Sequence, residues 1–156
     1  MIAHPPCTYL TVTGNRWFNI DNYKDKAIER HINRHEASIF FLRLWSASIP
    51  KICIENPIGS MNATIKPSQI IQPYYFGDEA QKTTCLWLKG LPPLYHNGEP
   101  NLFDQDITHV GKGDIIEFES GRKMPAWYAN AWHIPKEERS ELRSKTFPGI
   151  AQAMAD

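Results

Sequence analysis

The sequence predicts an α/β domain built on a mostly parallel sheet with flanking helices. Three observations predict it. A short apolar segment, Met1 to His4, stops at the proline pair Pro5-Pro6. A second, Lys51-Ile52-Cys53-Ile54-Glu55, is mostly apolar, as buried parallel strands are, and stops at Asn56-Pro57. Between them helical periodicity runs from about Lys26 to Ala47, with Ile28, Ile32, Ile39 and Leu42 along one stripe. Strand, long helix, strand is a right-handed βαβ unit.

The elements follow in order. The first strand covers Met1 to His4, and a polar loop with Gly14, Asn15, Asp21 and Asn22 leads into the helix. The last helical turns, Ile39-Phe40-Phe41-Leu42 and Leu44-Trp45, are apolar nearly all round, so that end is expected to be buried, and Pro50 closes the segment. After the second strand, Ser60 to Pro73 is mixed, with Ile70-Ile71 as a short extended piece. Thr83 to Leu88 reads as a third strand, stopped by Gly90 and Pro92-Pro93. Tyr95 to Gly121 is polar and turn-rich, with a hairpin around Asp114 to Phe118. Ala126 to Trp132 reads as a short helix, and Pro148 opens a last helix through Ala155, proline being tolerated in a first turn.

At 156 residues the chain is expected to form one domain, 1–156, with an insert-like region over 91–142. Seventeen basic and seventeen acidic residues cancel, so no global field draws it to nucleic acid. The charges are uneven. Glu99, Asp104, Asp106, Asp114, Glu117 and Glu119 face Lys112 alone, and six basic residues against three glutamates lie between Gly121 and Lys145. Two solvated surfaces are the favoured account, with a basic patch on phosphate backbone as the sharper alternative. Cys7, Cys53 and Cys85 cannot all pair and match no zinc spacing, which points to a reducing cytoplasm. No apolar run is long enough for a membrane span.

Two strand ends carry the chemistry. Cys7 follows the first and Glu55 closes the second, so a parallel βαβ brings both to the carboxyl edge of one sheet. A thiolate beside a carboxylic acid suits attack on a pyrimidine: the thiolate adds to C6 while the acid engages N3, which makes C5 nucleophilic. Taken singly, a cysteine at a strand end usually packs and a glutamate there usually caps or pairs. Their combination with Pro5-Pro6 and Asn56-Pro57 sets them apart.

Pro5-Pro6-Cys7 resembles the proline-cysteine motif of DNA cytosine C5-methyltransferases, and Glu55-Asn56-Pro57 their Glu-Asn-Val motif. Phe76-Gly77, Gln81 and Gly90 resemble the family's Tyr-Gly…Gln-x-Arg-x-Arg…Gly segment, and the tail from Arg143 to Ala155 is similar to its last motif. Ile54 to Ile58, Gln69 to Pro73 and Thr84 to Pro92 resemble a phage- and prophage-borne group labelled as cytosine methyltransferases. The resemblance implies a partial Rossmann-like methyltransferase sheet and methyl transfer from S-adenosylmethionine to cytosine C5 in DNA. It also implies Cys7 as nucleophile, Glu55 as its acid partner, and Pro6, Asn56, Pro57, Gln81 and Thr83 beside the substrate.

The departures are equally specific. The family's first half binds S-adenosylmethionine with a glycine-rich loop and an acidic residue, and nothing in this chain supplies them. Thr83 and Cys85 stand where the motif has its two arginines. The sequence therefore resembles the back half of such an enzyme, from near its fourth strand. An apolar edge at Met1 to His4 is then expected to recruit a second copy or a subunit carrying the cofactor half. Thymidylate synthases also carry a Pro-Pro-Cys nucleophile, but the rest of the chain is unlike them. The non-enzymatic alternative is an inactive homologue that binds protein or DNA.

Other candidates are weaker. His31 and His35 are four apart beside Glu36, a spacing that can hold a metal, but a solvated helix face with Arg30 and Arg34 is the better account. His4 either raises the thiolate fraction of Cys7 or is a strand residue facing a helix. Trp87, Trp127, Trp132, Tyr74, Tyr75 and Phe76 can stack on bases, with packing as the default.

Overall fold

The computed structural model describes residues 1–96 and 109–155. They form two compact units, one of Met1–Ile71 with Thr83–Pro93, the other of Gln72–Lys82 with the described residues from Leu94 onward. The first unit holds β1 (Ile2–Ala3), α1 (Ile20–Ser46), β2 (Ile52–Pro57), the single turn α2 (Met61–Thr64), β3 (Gln69–Ile71) and β4 (Thr84–Lys89).

The fold is mixed α/β. Its four strands lie in the order β1-β2-β4-β3. β1 and β2 pair in parallel, with Ile2 opposite Cys53 and Ala3 opposite Ile54. β4 runs antiparallel to β2 on one side and to β3 on the other. The mostly parallel sheet expected from the sequence is thus corrected to one parallel pairing beside two antiparallel ones. A parallel crossover needs a dozen or more residues, usually helical. α1 supplies one between β1 and β2, whereas the segment between β2 and β4 carries β3 and no α-helix longer than the four residues of α2.

Side chains alternate along β2, so Ile52 and Ile54 point to one face and Cys53 and Glu55 to the other. On the first face Ile52, Ile54, Cys85 and Trp87 join Leu10, Phe41 and Met61 in one buried cluster, edged by Ala37, Leu44 and Trp45 of α1. Phe41 meets Trp87 edge-on at 5.0 Å, and the Trp87 indole N–H donates to the Ile65 carbonyl at 2.8 Å.

α1 ends where expected but starts earlier. It begins at Ile20, inside the expected polar loop, capped by the Asn19 side chain, which accepts from the Asn22 N–H. Lys24 kinks its first turn at φ 45°. The residues before it, Val12–Phe18, form a 3-10 helix. The expected apolar stripe is also corrected: Ile28, Ile32, Ile39 and Leu42 are exposed, and Ala27 and Phe41 are the buried residues of the helix. Hydrophobicity alone chose the wrong side because the core-facing side carries Ala27, Arg30, Arg34 and Ala37.

The second unit contains the antiparallel hairpin of β5 (Ile115–Glu117) and β6 (Lys123–Pro125), then α3 (Ala126–Asn130), α4 (Lys136–Ser144) and α5 (Pro148–Ala155). Hairpin, first helix and last helix match the sequence reading, while α4, which buries no residue, had no apolar period to announce it. Glu99, Asp104 and Asp106, and part of the insert-like region, lie outside the described residues. Among the described residues no helix is long and apolar enough to cross a membrane.

Candidate functional site

The parallel register fixes the site. With Ala3 opposite Ile54, the next residues along each strand are His4 and Glu55, then Pro5 and Asn56. Both pairs are bonded. His4 Nδ1 and Glu55 Oε2 share a hydrogen bond of 2.7 Å, and the Asn56 amide donates to the Pro5 carbonyl at 2.8 Å. Glu55 and Asn56 are buried, at 7% and 3% exposure. The His4 side chain is 46% exposed, so it links a buried carboxyl group to solvent.

Beyond the strands the two chain segments stay together. The Cys7 carbonyl accepts from the Leu10 and Thr11 N–H groups, closing a turn, and Cys7 itself is exposed. Val12 N–H donates to the Ile58 carbonyl and Ser60 N–H to the Leu10 carbonyl, on either side of a Thr11–Gly59 bridge. The approach at Gly59 admits no side chain, since a Cβ there would lie 2.0 Å from the Leu10 carbonyl oxygen. From α1, the Arg34 guanidinium donates to the Tyr9 carbonyl and to the Asn15 side chain, both at 2.8 Å, and lies 3.4 Å over the Phe18 ring. Burial, with Arg30 beside it, lowers the Arg34 pKa, but a guanidinium remains charged.

The three cysteines differ in environment. Burial pushes the Cys53 thiol up to about 11; the Glu55 charge adds to this and the amino terminus opposes it. Burial also raises Cys85, against a lowering by the Asn62 amide, which donates to its sulfur at 3.2 Å. Both are kept as neutral thiols at ordinary pH. Cys7 is the exposed one, and all three are free.

The structure thus brings Pro6, Cys7, Glu55, Asn56 and Pro57 to one end of the β1–β2 pair. Asn56 uses its amide on the chain rather than presenting it. Pro57 is the last residue of β2, paired with Thr84. Thr83 immediately precedes β4, in the same unit. Gln81 belongs to the second unit, where its carbonyl accepts from the Trp127 indole at 3.1 Å. Two participants escaped sequence reasoning. His4, expected either to act on Cys7 or to face a helix, bonds instead to Glu55, which the parallel register sets opposite it. Arg34, expected on a solvated face, holds the Tyr9 carbonyl, a role that no spacing in the sequence reports.

The described residues do not fit S-adenosylmethionine. The connection from β1 to α1 holds no glycine turn: Gly14 sits within the 3-10 helix, where a Cβ would lie 3.1 Å from the Arg30 guanidinium. Among the described residues no group of three or more His, Cys, Asp and Glu side chains is arranged to hold a metal ion. His31 is instead bonded to the Phe18 carbonyl at 3.1 Å. Neither protein-family models, nor curated proteins, nor solved structures give a match to this chain.

Proposed function

We propose that this chain is the nucleophile-bearing half of a DNA cytosine C5-methyltransferase-like enzyme, active with a second subunit that binds S-adenosylmethionine. The observation that carries the reading is the 2.7 Å contact of His4 with Glu55 at the end of the strand that leads into the exposed Cys7. The Cys7 thiolate adds to C6 of cytosine. Glu55 passes to N3 a proton relayed to it by His4, and C5 gains the electron density of the resulting enamine. His4 returns a proton to the buried carboxyl from solvent. The steps assigned to this chain end with the activated C5.

The finer fold is part of the proposal. A parallel β1–β2 pair followed by antiparallel strands suits one margin of a Rossmann-like sheet, because large doubly wound sheets often carry antiparallel strands at an edge. β1 ends the strand order, and its outer edge is the proposed seat of the cofactor subunit. DNA is the proposed substrate, and three free cysteines suit a cytoplasmic setting. A protein- or DNA-binding homologue without turnover is the second reading, favoured by the engagement of Glu55 and Asn56 within the chain itself.

A cysteine trap tests the reading. DNA carrying 2-pyrimidinone, which is electrophilic at C6, is expected to give a covalent adduct by mass spectrometry. The adduct should be lost in Cys7→Ser and slowed in Glu55→Gln. No adduct, or one unaffected by Cys7→Ser, refutes it.

A further inference from the structure

α1 has a second apolar face that the sheet does not use. Phe41 is fully buried, and Ala37, Leu44 and Trp45 pack around the same cluster. At 100° per residue, Ile28, Ile32 and Ile39 fall on the opposite side of the helix. They are 48%, 56% and 38% exposed, and the neighbouring Leu42 is 37% exposed. Residues 28, 32, 35, 39 and 42 are spaced alternately four and three apart, the a/d repeat of a coiled-coil seam. Ile32 and Ile39 take the a positions, with Ile28, His35 and Leu42 at d. The seam lies wholly after the kink at Lys24 and spans about 20 Å of helix.

Charge runs along one flank. Glu29, Glu36 and Arg43 each follow a d position, are exposed, and take part in none of the salt bridges among the described residues. We propose that this face is an interface between two copies of the chain, with their α1 helices antiparallel about a two-fold axis. Stacking Ile32 of one copy on Leu42 of the second, and Ile39 on His35, sets Glu29 opposite Arg43 of the second copy. Symmetry makes that pair twice. In a parallel pair the same two charges stay about 20 Å apart along the axis and never meet. The complement to the stripe is therefore in the stripe itself, which is why the occupant is a second copy. Glu36 meets its own counterpart near the axis, the one like-charge contact of this register. The helix is already held by the sheet, so association does not have to order it.

Sedimentation equilibrium of the full chain is expected to give a dimer at micromolar concentration. Ile32→Asp with Ile39→Asp should give a monomer with an unchanged circular dichroism spectrum, as both residues face solvent. Glu29→Arg or Arg43→Glu alone should weaken the dimer about tenfold, since each acts twice. The two together should restore it to within about threefold, and Glu36→Gln should tighten it. A wild-type monomer at tens of micromolar overturns the proposal. So does a dimer that survives the double aspartate variant, which would place the contact elsewhere, or charge swaps that fail to compensate.

Discussion

At the scale of single residues, one strand register decides which groups can act. Cys53 and Glu55 share a face of β2, and burial together with that carboxylate keeps the Cys53 thiol protonated. Native protein treated with iodoacetamide near neutral pH is expected to be alkylated at Cys7, with Cys53 and Cys85 modified only after unfolding; peptide mass mapping checks this. The same shift has a consequence for stability. The folded protein holds the Cys53 proton up to about pH 11, while the unfolded chain releases it near 9. Its contribution is therefore complete below pH 9 and is lost as pH rises to 11, by at most about 2 kcal/mol. Urea melts at pH 8 and pH 10.5 are expected to show this fall, and Cys53→Ala should reduce it while lowering stability at both pH values. The placement of Cys7 and Glu55 at one end of neighbouring strands was legible in the sequence because prolines mark the ends of both strands. The His4–Glu55 bond was within reach of the same register. The Asn56–Pro5 bond depends on a side chain turning back onto its neighbour, which no spacing reports.

At the scale of elements, two connections hold the cysteine turn in place. Gly59 lets the Leu10 backbone approach, and Arg34 ties the Tyr9 carbonyl to α1. Gly59→Ala forces these segments apart and is expected to cost about 2 kcal/mol or more in denaturant unfolding. Arg34→Ala is expected to leave β2 intact while raising hydrogen exchange at Leu10 and Thr11, the donors to the Cys7 carbonyl. Strand positions were readable because β-branched and apolar runs end at proline or glycine. The helix was readable at its C-terminal end but not at its start or in its orientation. Its strongest apolar periodicity, Ile28 to Leu42, belongs to the exposed side, and its buried side is built from alanines, Phe41 and the stems of two arginines. α4 was invisible for the opposite reason: Lys-Glu-Glu-Arg-Ser-Glu has helix-forming residues and no buried face.

For the whole molecule, an α/β order of elements was predictable, but the sense of the strands was not. Thr84–Lys89 reads equally well as a parallel or an antiparallel strand; in the structure it runs antiparallel to both β2 and β3, with no long crossover helix between β2 and β4. The expected open edge is smaller than the sequence implied, because β1 comprises two residues and templates few ladder bonds. The larger apolar surface is on α1, which separates the proposed self-association from the proposed seat of a cofactor subunit.

The proposed function requires Cys7 and Glu55 together to activate cytosine at C5. Reversible addition at C6 followed by protonation at C5 exchanges the C5 hydrogen with solvent and needs no methyl donor. Cytosine-containing DNA incubated with the full chain in deuterated water is therefore the most direct test, read by mass spectrometry of the recovered nucleosides. Deuterium is expected at C5, abolished by Cys7→Ser and reduced about a hundredfold by Glu55→Gln. Exchange that is absent, or that persists in Cys7→Ser, contradicts it.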